Sequence, residues 1–145
     1  MINYENDFYG WTQEQAAFLR AGRLTDLDIE NLIEEVETMG RSEKRELQSR
    51  LTILMAHLLK WEYQPQRASK SWLSTIEYQR NDCTDVIGDN PSLKPLLDSI
   101  LAKAYTNACL LATKETGINK KVFHPSCPWT ISQILDVDFL PEQQN

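Results

Sequence analysis

Histidine, cysteine and glycine are scarce in this 145-residue chain, and each scarcity closes a class of readings. The two histidines, His57 and His124, leave little material for a histidine-rich metal centre. Three cysteines, Cys83, Cys109 and Cys127, are odd in number and far apart in sequence, with no CxxC, so neither a disulfide framework nor a metal knuckle is indicated. We read Cys83 and Cys109 as reduced core residues. With five glycines there is no glycine-rich phosphate loop, and GxSxG and HExxH are also missing. No apolar run approaches the roughly 18 residues of a membrane span. The N-terminal residues Met1 to Asp7 lack a basic segment followed by an apolar one, so the expectation is a cytoplasmic protein with no membrane partner. No useful stretch alternates with period two, so strands are not expected.

What the chain does contain is helical periodicity. From Asp26 to Gln64, apolar residues recur at Ile29, Leu32, Ile33, Val36, Leu47, Leu51, Leu54, Leu58 and Trp61, the 3.6-residue period of a helix with one buried face. Gly40 and Glu43 interrupt the stripe. Because the apolar positions before and after Gly40 fall on nearly the same side, one long helix kinked at the glycine is preferred to two helices meeting there. Thr25 or Asp26 is expected to cap it, and Pro65 to follow its end.

Helix one spans about Glu5 to Ala21, with Phe8, Trp11, Ala16 and Leu19 at near-helical spacing and Gly22 just past the end. Ser71 is expected to open a third helix running to about Ile87, with Leu73, Ile76, Cys83 and Ile87 inward. Asn90 and Pro91 are expected to open a fourth, closed by Gly117. The tail from Ile118 reads as a proline-fixed loop through Trp129, then a capping box at Thr130 and Gln133 that starts a short last helix. The fold class is therefore all-α: an antiparallel bundle of about four main helices, with a long kinked second helix and a C-terminal loop plus short helix, forming one domain over residues 1–145.

Asp7-Phe8-Tyr9 with Trp11, Asp28 to Glu37, Met39 to Arg45, His57 to Trp61 with Gln64-Pro65, Ser71-Trp72, and Cys127 to Thr130 ahead of Gln133-Ile134-Leu135 follow one another in a recognisable order. In these stretches the chain resembles a bacterial family catalogued as domain of unknown function 29, over about Tyr4 to Pro141. The resemblance implies an all-helical cytoplasmic protein and brings no activity and no catalytic residues with it.

The net charge of −6 disfavours nucleic acid as the main partner. Its distribution is uneven: Asp26 to Glu37 holds six acids and no base, whereas Arg41 to Arg50 holds four bases and two acids. Acids first and bases later complement the helix macrodipole.

Several side-chain sets are candidates for chemistry. Glu43, Arg50 and His57 are spaced by seven, so on a helix they form a row beside Trp61. A carboxylate, a guanidinium and an imidazole in such a row would suit anion binding, a metal held through His57 and Glu43, or acid–base work; a packing ion pair with a satisfied core histidine is the preferred reading. Glu30, Glu34 and Glu37, continued by Arg41, form an acidic row that reads as a partner-facing or solvated surface. A carboxylate-bridged metal pair would need Glu-x-x-His, which neither histidine provides, so no metal and no cofactor is expected. Lys60, Arg67 and Lys70, interleaved with Trp61, Tyr63 and Trp72, form the one patch resembling a nucleic-acid contact, or else aromatic packing with solvated stems. Cys127 has no recognisable base beside it and reads as a packed thiol.

A soluble helical binding or interaction module, acting on a protein partner and possessing the option of self-association, is the leading functional expectation. A small hydrolase built on Glu43, Arg50 and His57, and nucleic-acid binding through the Lys60–Trp72 region, are the alternatives.

Overall fold

A computed structural model describes residues 1–144. They form five α-helices and, among the described residues, no strand: α1 Phe8–Arg20, α2 Ile29–Tyr63, α3 Lys70–Asp89, α4 Leu97–Thr116 and α5 Ile131–Leu135. The all-α class with a long second helix is what the periodicity requires. The residues divide into two compact units, Met1–Ser42 and Glu43–Asn145.

In the first unit Asp7 caps α1, its Oδ1 accepting from the Gly10 N–H at 3.0 Å. The helix closes on Gly22 at φ 70°, with Arg23 N–H donating to the Phe18 carbonyl at 2.9 Å and Gly22 N–H to the Leu19 carbonyl at 3.1 Å. This double bond pattern satisfies carbonyls that the helix end would otherwise leave open, and it needs a residue at ease with positive φ. Thr25 and Asp26 lie in a 3-10 turn, Leu24–Asp26, and do not cap α2. The start of α2 is set by Asp28, whose carbonyl accepts from Leu32 N–H at 3.0 Å. Gly40 does not end α2.

The second unit holds the main core. Leu47, Leu51, Leu54, Met55, Leu58 and Leu59 of α2 are fully buried with Ile76 and Cys83 of α3, Ile100, Ala104 and Ala108 of α4, and Ile134 of α5. Ser69, two residues earlier than expected, caps α3 by accepting from Trp72 N–H at 3.3 Å, and the helix continues through Gly88 to Asp89. Pro91 does not open an α-helix. Pro91–Leu96 is a 3-10 segment containing Pro95, and α4 begins only at Leu97. A proline at 95 has no N–H to give residue 91 and its ring opposes that carbonyl, so the α-pattern is delayed past it. Gly117 at φ 78° closes α4, and the capping box at Thr130 and Gln133 opens α5.

Arg80, 3% exposed, reaches from α3 to the end of α5. Its Nε donates to the Ile134 carbonyl at 2.7 Å and an Nη to the Phe139 carbonyl. A guanidinium satisfies two carbonyls beyond the reach of helical N–H groups and ties the C-terminal segment to the core.

Candidate functional site

The periodicity that builds α2 does not bury all of its stripe. Leu47 to Leu59 are sealed, but Ile29, Ile33, Val36 and Met39 are 54, 53, 60 and 63% exposed. Sequence periodicity marks a face as apolar without saying whether anything covers it, so the expectation of one continuous buried stripe fails over the first three turns.

Within the first unit, the same helix and α1 enclose a shallow apolar groove of about 300 Å³, lined among others by Phe8, Trp11, Gln15, Leu19, Leu32 and Met39. Phe8 and Leu19 are half exposed, whereas Trp11 is 1% exposed. Trp11 stacks on Phe8, with ring centroids 5.8 Å apart, and meets Tyr4 edge-on at 4.7 Å. The floor is fixed by polar bonds: Trp11 Nε1–H donates to Asp28 Oδ2 at 3.0 Å, Asn31 Nδ2 donates to the same oxygen at 2.8 Å, and Asp28 N–H donates to Gln15 Oε1 at 2.8 Å. The Asn31 bond first, and the indole bond with it, holds the Asp28 carboxyl below the usual carboxylate range despite opposing desolvation. Gln15 is 2% exposed, and among the described residues its Nε2 has no partner.

The acidic row borders the exposed stripe. Glu30, Glu34 and Glu37 each follow an exposed apolar residue by one position, which on a helix places a row of carboxylates alongside the row of hydrocarbon. Arg41 lies 3.3 Å from Glu34 and 3.7 Å from Glu37. Met1–Ser42 holds nine acids and three bases, an excess equal to the whole chain's −6, so the second unit is neutral on balance.

The row Glu43, Arg50, His57 lies on α2 as its spacing requires, but each side chain takes its own partner. Glu43 is exposed, 3.4 Å from Asn90 Nδ2. Arg50 pairs with Asp82 at 2.7 Å and with Glu46 at 3.3 Å, and lies over the Tyr78 ring. His57 Nδ1 donates to the Ile53 carbonyl at 2.9 Å, and burial, reinforced by the nearby Lys60, lowers its pKa. Among the described residues no hydrogen bond or ion pair joins these three to one another. Trp61 is half-buried. In the Lys60–Trp72 region, Lys60 is bound to Glu115 at 2.7 Å beneath the Trp72 ring, while Arg67 and Lys70 are exposed.

Sequence reasoning missed Glu62. It is 5% exposed, and its Oε2 accepts from His124 Nε2 at 3.1 Å and from Gln144 Nε2 at 2.8 Å. Residues 62 apart in the chain leave no periodic signal. The one available cue was a glutamate inside the apolar arc of α2, next to Trp61 and close behind Leu58.

The residues His, Cys, Asp and Glu form no cluster of three fit to hold a metal ion among those described, and no helix is long and apolar enough to cross a membrane. Compared with curated proteins and with solved structures, the chain finds no match. The family model described as domain of unknown function DUF29 matches residues 3–140, nearly the full length, and the chain belongs to that family.

Proposed function

We propose that the protein is a protein-interaction module whose N-terminal unit is its docking surface. The observation that carries this reading is the row of uncovered side chains Ile29, Ile33, Val36 and Met39 beside the acids Glu30, Glu34 and Glu37. Four large apolar groups at helical spacing form a contiguous hydrocarbon strip, a feature that marks contact surfaces more often than bare solvent faces. Carboxylates along its edge select the partner's charge and speed encounter, while the apolar strip supplies affinity.

The partner of matching chemistry is a protein segment that forms an amphipathic helix, with an apolar seam flanked by lysine or arginine, laid along α2. A second copy of the same unit brings the same acidic excess and would be repelled. Phosphate-rich nucleic acid meets the same repulsion.

Chemical crosslinking and affinity capture from the native host test the reading, using the full chain and an Ile33→Lys/Val36→Lys variant whose altered positions are exposed enough to leave folding intact. One stoichiometric partner should be recovered by the parent chain, lost from the variant, and weakened by salt. Recovery that is unchanged by the double substitution would sink the proposal.

A further inference from the structure

The second unit carries a different concavity, independent of the docking surface. A cavity of about 440 Å³ opens between α4 and the segment that follows it, walled by Tyr105, Leu110 and Phe123, with Lys120, Lys121 and His124 also lining it. Its volume lies within the roughly 300–1,000 Å³ usual for small-molecule sites.

Three features give it the form of a built site. First, Lys120 and Lys121 both line the cavity and are in no ion pair among the described residues. Two adjacent ammonium groups beside hydrocarbon attract an anion that carries an apolar body. Second, their backbone is fixed: they occupy the 3-10 turn Lys120–Val122, capped by Asn119, whose Oδ1 accepts from Lys121 N–H at 2.9 Å. Third, His124 is held at both ends. Tyr105 Oη donates to its carbonyl at 2.7 Å, and buried Glu62 accepts from its Nε2 at 3.1 Å.

We infer that this cavity binds a free medium-chain carboxylate, with its hydrocarbon against Leu110 and Phe123 and its carboxylate at Lys120 and Lys121. A carboxylate suits two flexible ammonium donors, and the apolar wall rewards a chain where a bare inorganic anion would gain nothing.

Calorimetric titration of the full chain with sodium octanoate, octanol and octylamine decides the matter, supported by amide NMR shifts. Octanoate should saturate one site and shift the amides of Leu110, Lys121 and His124. Octanol should bind at least about tenfold more weakly, and octylamine not at all. Lys120→Glu/Lys121→Glu and, separately, Leu110→Asp should each weaken octanoate by about tenfold or more. Both changes are at exposed positions, so folding is retained. Equal affinity for octanol, indifference to both variants, or no saturable binding would overturn the assignment. So would co-sedimentation with phosphatidylglycerol vesicles in a chain that ignores octanoate, since the basic turn would then be reading a membrane surface.

Discussion

Trp11 and Asp28 are joined by a 3.0 Å bond from the indole N–H to Oδ2, and that bond links α1 to the start of α2 within the N-terminal unit. The same carboxyl also serves Asn31, and these bonds lower its pKa. A carboxyl whose folded pKa lies below its unfolded value of about 3.9 adds stability above that pH and loses it as the pH falls through the folded value. The indole N–H resonance of Trp11 should therefore hold steady from neutral pH into mild acid and move only below the ordinary carboxylate range, as Asp28 protonates. In Asp28→Asn the acid step should vanish. A resonance that ignores acid in the parent chain would disprove the coupling.

Arg80 offers the clearest test of packing in the second unit. Replacing it with alanine strands the carbonyls of Ile134 and Phe139, and both bonds come from a charged donor. We expect Arg80→Ala to cost about 2–4 kcal/mol in urea unfolding, with α5 losing hydrogen-exchange protection first. A loss under about 0.5 kcal/mol, the range of ordinary surface changes, would mean the C-terminal segment is held by other means.

The thiols predict alkaline behaviour. Burial pushes Cys83 up to about 12, and raises Cys109 and Cys127 too. Unfolded thiols ionise near pH 8.5, so folding withholds that ionisation and stability should decline as the pH climbs above this value. At pH 8 the native protein should react slowly with a thiol reagent, Cys83 slowest of the three, and all three should react at once in denaturant. Fast labelling of Cys83 in the folded protein would contradict its placement.

Gly40 sits inside α2 with open space where a side chain would begin, and its φ is negative. Gly40→Ala should therefore raise stability by up to about 1 kcal/mol, through both helix propensity and the restricted unfolded chain. Gly10 is the opposite case. A Cβ there would lie 2.9 Å from Asp7 Cγ, so Gly10→Ala should displace the α1 cap and cost about 1 kcal/mol. Thermal melts of the two variants should move in opposite directions.

Much of the fold follows from local physics that sequence expresses directly. Leu47 to Leu58 at helical spacing, Gly22 and Gly117 past helix ends, and Thr130 with Gln133 each act through residues within a few positions of one another, and each does what its spacing implies. Competing choices were harder. Thr25, Asp26 and Asp28 are all competent caps, and the 3-10 turn selects the last. Pro91 looks like a helix opener until Pro95 is weighed against it. The candidate site divides in the same way: Glu43, Arg50 and His57 share a helix line, but their partners Asn90, Asp82 and the Ile53 carbonyl are set by tertiary packing that spacing does not encode. Glu62 and His124 meet only because the tail returns to α2, and the exposure of Ile33 and Val36 depends on what is absent around them.

The charge imbalance between the units reaches beyond recognition. Residues from Glu43 onward carry twelve acids and twelve bases, so that portion by itself would be isoelectric near neutral pH. Proteins without net charge approach one another freely and precipitate readily. The acidic N-terminal residues thus confer colloidal stability on everything downstream, and a basic partner that neutralised them would also lower the solubility of the complex.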